Sequence, residues 1–207
     1  MKFTIKTPLL RPLCLVVTSL ALASCGYRVD QSNAVSVDIP FFKQDTDGML
    51  TTRVISELSR TGAYYYSEKS PKYELRGEIV SSSTDNIGYQ YRRKDASTKL
   101  EDRLVPNEGR RTVKAKITLI DLASGAPVYG PVTIEASSDF DFVDPDNYYD
   151  LTFEPPGAPT ESVLDFSLGQ LDSREGASIS SLDPAYRALA ERIADTLSRV
   201  RVPQQVQ

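Results

Sequence analysis

The fold of this chain is decided by residues 111–122, which read RTVKAKITLIDL. Apolar residues occupy every second position from Val113 to Leu119, and lysine or threonine lies between them. Successive side chains of a β-strand point to opposite faces of the sheet, so this alternation predicts a strand with one buried face. Ser124-Gly125 is typical of a hairpin connection, and residues 128–142 are predicted to return as the partner strand.

Upstream of this hairpin, apolar residues alternate in two further segments. Residues 35–42 predict a half-buried strand. Pro40 indicates either that this strand lies at an edge of the sheet or that it ends there. Residues 73–80 predict another strand; its alternation weakens over residues 81–83 and resumes at Ile87. The tyrosine-rich residues 63–67 fit a short strand. Residues 92–111 carry no apolar periodicity and many charges, so they predict a long loop.

Two segments carry the helical period instead. Leu50, Val54 and Leu58 recur every fourth residue after a start signal at residues 46–48, and Gly62 is typical of a helix end. Asp183-Pro184 begins a second helix, whose apolar stripe runs from residue 186 to residue 200. A short helix is expected over residues 164–171, a loop over residues 143–160 and a polar linker over residues 172–182.

Together these elements predict an α+β fold. Two amphipathic helices need one sheet face to cover, so we expect a two-layer sandwich. Its sheet should be mostly antiparallel, with about 4–5 strands, and both helices should lie on one face.

The N-terminus predicts export and a lipid anchor. Basic residues precede an apolar run over residues 13–22, which as a helix reaches about 15 Å, half of a hydrocarbon core. It is therefore typical of a signal peptide. Leu22-Ala23-Ser24-Cys25 resembles a bacterial lipobox, in which the cysteine is acylated and the preceding residues are removed. An ordinary secretory signal with a coincidental cysteine is the alternative.

These signals divide the chain into a lipoprotein signal peptide (1–24), a lipidated tether (25–34), one domain (35–202) and a disordered tail (203–207). Two or more acyl chains hold a protein on a membrane stably. Gly26 follows the cysteine, whereas an aspartate there retains lipoproteins in the inner membrane of enteric bacteria. We therefore expect the outer membrane.

Composition excludes several classes of function. The chain has no histidine, and its two cysteines are Cys14, which leaves with the signal, and Cys25. Zinc sites, cysteine nucleophiles and disulfides are thus excluded, and no phosphate-binding loop or nucleophile elbow is present. Without residues 1–24 the chain holds 21 basic and 28 acidic residues, a net charge of −7, which argues against nucleic-acid binding. We expect no catalytic residues, metal or cofactor.

The order of several motifs resembles the LptE family of lipopolysaccharide (LPS) assembly lipoproteins. Cys25-Gly26-Tyr27 looks like the family's mature start, and residues 35–42 with the helix after them look like its first strand and helix. Leu75-Arg76-Gly77 looks like its "leucine, any residue, glycine" strand, and residues 111–128 look like its central hairpin. Residues 138–142 and 166–173 look closest to versions from Chlamydiae and their relatives.

This resemblance implies a protein that is not an enzyme. It implies a plug inside a large outer-membrane β-barrel of the LptD type, which together with that barrel inserts LPS into the outer leaflet. The partners implied are the barrel, LPS and the outer membrane itself through the lipid anchor. The protein would face the periplasm and the barrel lumen.

Basic residues suggest where LPS could bind. Residues 92–111 carry seven basic and four acidic residues in an otherwise acidic protein. Guanidinium groups bind phosphates through paired hydrogen bonds, so we predict contacts with lipid A phosphates. The candidate residues are Arg92, Arg93, Lys94, Arg110 and Arg111. The alternative is a solvated loop whose charges neutralise one another or contact acids of the barrel wall.

Two other clusters have simpler explanations. Five aspartates between residues 139 and 150 could bind calcium, but they lack the glycine and glutamate of an EF-hand loop, so a solvated or partner-facing segment is favoured. Five tyrosines could form a contact surface or pack beneath the helices: Tyr64, Tyr65, Tyr66, Tyr89 and Tyr91.

Two other functions compete with this hypothesis. The first is an accessory lipoprotein of another envelope machine, such as an ABC-transport auxiliary component or a cell-wall synthase activator. Co-purification distinguishes it, because an inner-membrane ATPase complex would replace the barrel. The second is a hydrolase that uses only carboxylates, which requires two acids facing each other across a cleft.

Overall fold

A computed structural model describes residues 34–93, 100–143, 152–153, 156–157, 159, 161–162 and 173–200. Its elements in chain order are β1 (Val35–Asp38), α1 (Met49–Thr61), β2 (Tyr64–Tyr66), β3 (Tyr73–Arg93), β4 (Leu100–Asp121), β5 (Pro127–Asp141), β6 (Thr152–Phe153), β7 (Glu161–Ser162), α2 (Arg174–Ser180) and α3 (Leu182–Ser198). The predicted signal peptide, Cys25, Lys94, the helix expected over residues 164–171 and the tail lie outside the described residues.

The main sheet has five strands in the order β2-β1-β3-β4-β5. Strand β1 is parallel to both of its neighbours, whereas β3, β4 and β5 form an antiparallel meander. The strands β6 and β7 form a separate antiparallel pair. The predicted α+β sandwich with a mostly antiparallel sheet is confirmed.

Both long helices pack on one face of this sheet. Every second residue of β4 from Val113 to Leu119 is fully buried, as the alternation predicts. Helix α3 covers β4 and β5 through an apolar stripe that includes Leu189 and Ile193, and α1 packs against α3 and β2. This core ends along the strands at Ile79 in β3 and Val113 in β4.

Helix α1 begins and ends with specific hydrogen bonds. The buried carboxylate of Asp45 accepts hydrogen bonds from the amides of Leu50 and Thr51, at 3.3 and 2.8 Å, and from the Thr51 hydroxyl at 2.6 Å. These contacts satisfy donors that the first turn of a helix leaves free. Gly62 ends the helix with a positive φ of 71°, as its position in the sequence predicts.

The prediction of a long loop over residues 92–111 was wrong. Strand β3 continues to Arg93, and β4 already begins at Leu100, so the two strands form one long antiparallel hairpin. Register shifts next to Val80 and Ile87 break the simple alternation that marks a strand in the sequence. We call the part of this hairpin beyond the core, residues 80–93 and 100–112, the ribbon.

The linker expected over residues 172–182 was also wrong, because it contains the short helix α2. The Ser173 hydroxyl accepts a hydrogen bond from the Gly176 amide and caps this helix. Ala177 is its one buried residue, which leaves no apolar stripe for sequence reasoning to detect. In the part of the chain that the structure describes, no helix has the length and apolar character needed to cross a membrane.

Candidate functional site

The ribbon has two chemically different faces. Residues directly opposite in an antiparallel pair share one face of the sheet. Tyr89 lies opposite Pro106, and Tyr91 lies opposite Leu104. These two pairs therefore lie on one face of the ribbon, and the pair Gln90 and Val105 between them lies on the other. Tyr89, Tyr91 and Leu104 are 56%, 52% and 55% exposed, so they form an apolar and aromatic surface, which we call the tyrosine face.

Other apolar side chains in this region are buried. Val105 and Phe142 are covered, and the Phe140 and Phe142 rings lie 6.0 Å apart. The guanidinium of Arg174 lies 5.4 Å above the Phe142 ring and donates a hydrogen bond to the Asn86 side chain. Helix α2 is therefore joined to the ribbon.

The face of the sheet away from the helices, which we call the outer face, carries cross-strand ion pairs. Lys114 contacts Glu135 at 2.8 Å, and Lys116 contacts Glu78 at 3.3 Å. Arg110 donates to both carboxylate oxygens of Asp139, from Nε at 2.6 Å and from one terminal nitrogen at 2.8 Å. This hydrogen bond lowers the pKa of Asp139, and the one from Lys114 lowers the pKa of Glu135. Arg110, a predicted phosphate ligand, is thus already engaged by a carboxylate.

Arg111 lies on the opposite face from Arg110. It follows the same alternation as Val113, so its side chain points towards the helices. One terminal nitrogen donates to the Ser82 hydroxyl at 3.3 Å, and the other donates to the backbone oxygen and hydroxyl of Ser178 at 3.1 and 3.3 Å. Its Nε atom is buried and has no hydrogen-bond partner.

The structure does not bring the predicted basic residues together. Arg110 and Arg111 face Asp85 and Thr84 across the β3–β4 ladder, whereas Arg92 lies about 25 Å further along β3. For Arg93 the structure describes the backbone, opposite Leu100, and Lys94 is outside the described residues. Binding of LPS phosphates by these residues stays a prediction.

The predicted aspartate cluster falls partly in the described chain. Asp139 pairs with Arg110, and Asp141 lies opposite Glu108 on the outer face. Asp144, Asp146 and Asp150 lie outside the described residues. Within residues that the structure does describe, no group of three acidic, cysteine or histidine side chains is arranged to hold a metal ion.

The tyrosines divide between the two explanations that the sequence leaves open. Tyr64 is buried in the core, and its hydroxyl donates a hydrogen bond to the Leu197 backbone oxygen at 3.2 Å. The other four are exposed: Tyr65, Tyr66, Tyr89 and Tyr91. Sequence reasoning missed Leu104 and Pro106, although their two-residue spacing repeats that of Tyr89 and Tyr91 and is the signal that could have revealed the ribbon.

Comparisons with known proteins identify similar structures at low identity. No protein-family model and no curated protein matches the chain. A minor lipoprotein from Acinetobacter baumannii aligns at 14% identity and TM-score 0.46, over 83% of this chain and 96% of that one. A hypothetical protein from Chlamydia trachomatis aligns at 8% identity and TM-score 0.46, and the alignment covers 81% of this chain and 97% of that one. Rare lipoprotein B from Shewanella oneidensis aligns at 12% identity and TM-score 0.40, and the alignment covers 78% of this chain and 89% of that one. These likenesses are too weak to carry an argument about this chain.

Proposed function

We propose that this chain is an outer-membrane lipoprotein, anchored through Cys25, that plugs and supports an LPS-transport β-barrel of the LptD type. In this role it assists the insertion of LPS into the outer leaflet. It works by binding and not by catalysis. The lipobox-like residues 22–25 and the order of LptE-like motifs support the address and the class of partner.

The observation that carries the proposal is the exposed tyrosine face of the ribbon. The ribbon extends about 45 Å past Ile79, at about 3.3 Å per residue, and so reaches well beyond the helical layer. Tyrosine and arginine are enriched in protein interfaces, and large apolar side chains left exposed on one surface are typical of a docking site. Tyr89, Tyr91 and Leu104 would contact the barrel wall.

The basic residues are the proposed contacts with LPS. Arg92, Arg93, Lys94, Arg110 and Arg111 are proposed to contact lipid A phosphates as LPS passes the ribbon. Since Arg110 is paired with Asp139, a phosphate would have to compete with that carboxylate for its guanidinium. We therefore expect Arg110 to contribute less than the other four.

Co-purification tests the barrel contact. The variant Tyr89→Ser, Tyr91→Ser, Leu104→Ser should fold normally, because the three side chains are more than half exposed. It should lose the LPS-transport barrel when the lipidated protein is extracted from outer membranes. Tyr65→Ser is the matched control, since Tyr65 is 45% exposed but lies on β2, away from the ribbon.

The outcomes separate the candidate functions. Loss of the barrel in the triple variant, with retention in the control, supports the proposal. A wild-type protein that brings down an inner-membrane ATPase complex and no barrel contradicts it and favours an accessory lipoprotein of another machine. Mass spectrometry that finds Cys25 unmodified in the natural product would remove the proposed anchor.

A further inference from the structure

We infer that Arg111, Ser82 and Ser178 form a binding site for a single phosphate group on the helix side of the sheet. The three residues come from different elements, β4, β3 and α2, and they meet at the guanidinium of Arg111. The inference shares Arg111 with the proposed LPS contacts but does not depend on a barrel partner.

Among the residues that the structure describes, Arg111 has no counter-ion. It takes part in none of the ion pairs formed among residues that the structure describes, whereas Arg110 beside it is held by Asp139. A half-buried guanidinium that meets only hydroxyl and carbonyl oxygens loses hydration without gaining an opposite charge. Such a cation favours an anion from outside the chain.

The hydrogen bonds of Arg111 are incomplete. Its three contacts measure 3.1 to 3.3 Å, longer than the 2.7–2.9 Å typical of hydrogen bonds between charged groups. The Nε atom is buried with no acceptor, and a buried donor without a partner is destabilising. The guanidinium therefore has unused capacity to donate hydrogen bonds.

The two serine hydroxyls beside Arg111 indicate the chemistry of the ligand. The Ser82 and Ser178 hydroxyls accept hydrogen bonds from Arg111, so the proton of each hydroxyl remains available to donate. A phosphate has several oxygens and can accept from the guanidinium and from both hydroxyls at once. Because the Nε atom is buried, the phosphate would approach the terminal nitrogens of this half-buried side chain.

Nearby acids do not occupy the site. Burial raises the pKa of Tyr186, Asp45 and Asp47 raise it further, and Arg111 lowers it, so all three charges lie near that hydroxyl. Both carboxylates are committed to helix α1: Asp45 binds the Leu50 and Thr51 amides, and Asp47 binds the Met49 amide. Their negative charge will weaken the attraction of Arg111 for an anion, but neither carboxylate forms an ion pair with Arg111.

Phosphate titration of the full-length protein in detergent tests the site. The buried Nε–H group of Arg111 should give an exchange-protected arginine signal in NMR spectra, assigned by its loss in Arg111→Lys. Inorganic phosphate at constant ionic strength should shift this signal and saturate. Arg111→Gln should weaken phosphate binding about tenfold or more, measured by calorimetry, and Ser178→Ala about threefold to tenfold. Arg76→Gln, which removes the same charge on the outer face, should change it less than about twofold.

A second arm identifies the source of the phosphate. Phosphatidylcholine vesicles with and without phosphatidic acid are added to the same protein. A response to both free phosphate and phosphatidic acid supports a site for the phosphate group itself, and a response to phosphatidic acid alone supports a lipid headgroup. No response to either, or binding that Arg111→Gln and Arg111→Lys leave unchanged, overturns the inference. Loss of phosphate binding in Arg111→Gln with normal LPS transport would keep this site and remove Arg111 from the proposed LPS contacts.

Discussion

Tyr64 links β2 to the end of helix α3. Burial, and then the neighbouring Tyr73, raise the pKa of Tyr64 to about 12. Because the folded pKa exceeds the ordinary value of about 10, the stabilisation from neutral Tyr64 is complete below pH 10. It is lost as the pH rises towards 12. We expect the free energy of unfolding to fall over this range, and denaturant titrations at increasing pH measure it.

The variant Tyr64→Phe provides the control for this pH dependence. It removes the ionisable group and the hydrogen bond to Leu197, so it should cost about 1 kcal/mol at neutral pH and flatten the alkaline decline. Tyr65→Phe, at an exposed position beside it, should leave both quantities unchanged. An alkaline decline of the same slope in Tyr64→Phe would assign the effect to another group.

Gly77 shows why the Leu75-Arg76-Gly77 motif needs glycine. A Cβ atom at Gly77 would lie 2.3 to 2.4 Å from the ring of Phe42, which is itself buried. Gly77→Ala should therefore force the ring or the strand to move, at a cost of about 1–3 kcal/mol in the free energy of unfolding. Chemical denaturation measures this cost.

The Phe42→Leu background tests the proposed cause. A smaller side chain at residue 42 should relieve the clash, so Gly77→Ala should cost less there than in the wild-type protein. Equal costs in both backgrounds would show that the glycine is needed for another reason. The sequence marks this position as a glycine inside a strand, but Phe42, 35 residues earlier, is identified as its partner only in the folded chain.

Among the elements, those with a regular period were predictable. Helices α1 and α3 and the core half of the β3–β4 hairpin repeat every 3.6 or 2 residues over several turns or pleats, and the structure confirms them. The strand alternation that resumes at Ile87 was predicted on the β3 side of the ribbon, but residues 100–111 on the β4 side were predicted as a loop, because register shifts change which residues face the same side. Helix α2 is stabilised by a cap and by the Arg174 and Arg111 contacts, which leave no periodic trace.

The cross-strand ion pairs of the outer face give an acid dependence. Folding lowers the pKa values of Asp139 and Glu135 through hydrogen bonds with Arg110 and Lys114. The stabilisation is therefore present above the ordinary carboxyl pKa of about 4 and is lost as the pH falls through the folded-state values. We expect a small acid destabilisation, since all four side chains are largely exposed. Thermal unfolding between neutral and acidic pH measures it.

The neutral variant Glu135→Gln, Asp139→Asn isolates these pairs. Its melting temperature should vary less with acid than that of the wild-type protein, and high salt should reduce the difference between the two. If both proteins respond to acid identically, the ion pairs do not stabilise the folded state.

Across the whole molecule, the boundary of the core predicts two levels of local stability. Amides of β3 and β4 next to Leu75 and Ile117 lie under the helices, where both residues are fully buried. Ribbon amides next to Tyr91 and Leu104 lie beyond that cover. Hydrogen exchange should be slowest in the first group and faster by orders of magnitude in the second. Mass spectrometry of peptides from each half of the hairpin checks this, and equal protection would contradict it.

The candidate site was less predictable than the fold, for a physical reason. The sequence identifies arginines that suit phosphate, but it does not show that Arg110 and Arg111 point to opposite faces or that Asp139 binds one of them. Those facts depend on strand pairing over a separation of 29 residues between Arg110 and Asp139. Charge in a sequence thus indicates a class of ligand, and the sheet register decides which charges are available.

The direction of β3 relative to β1 has a mechanical consequence. The two strands are parallel, the tether joins the sheet before Val35, and the ribbon leaves it at the other end of β3. In the proposed function, the tether over residues 25–34 would reach at most about 35 Å from a lipid on Cys25 and would set the distance between the domain and its membrane. The length of the hairpin would independently set how far the ribbon reaches into its partner. Lengthening one segment would then change one of these distances and leave the other unchanged.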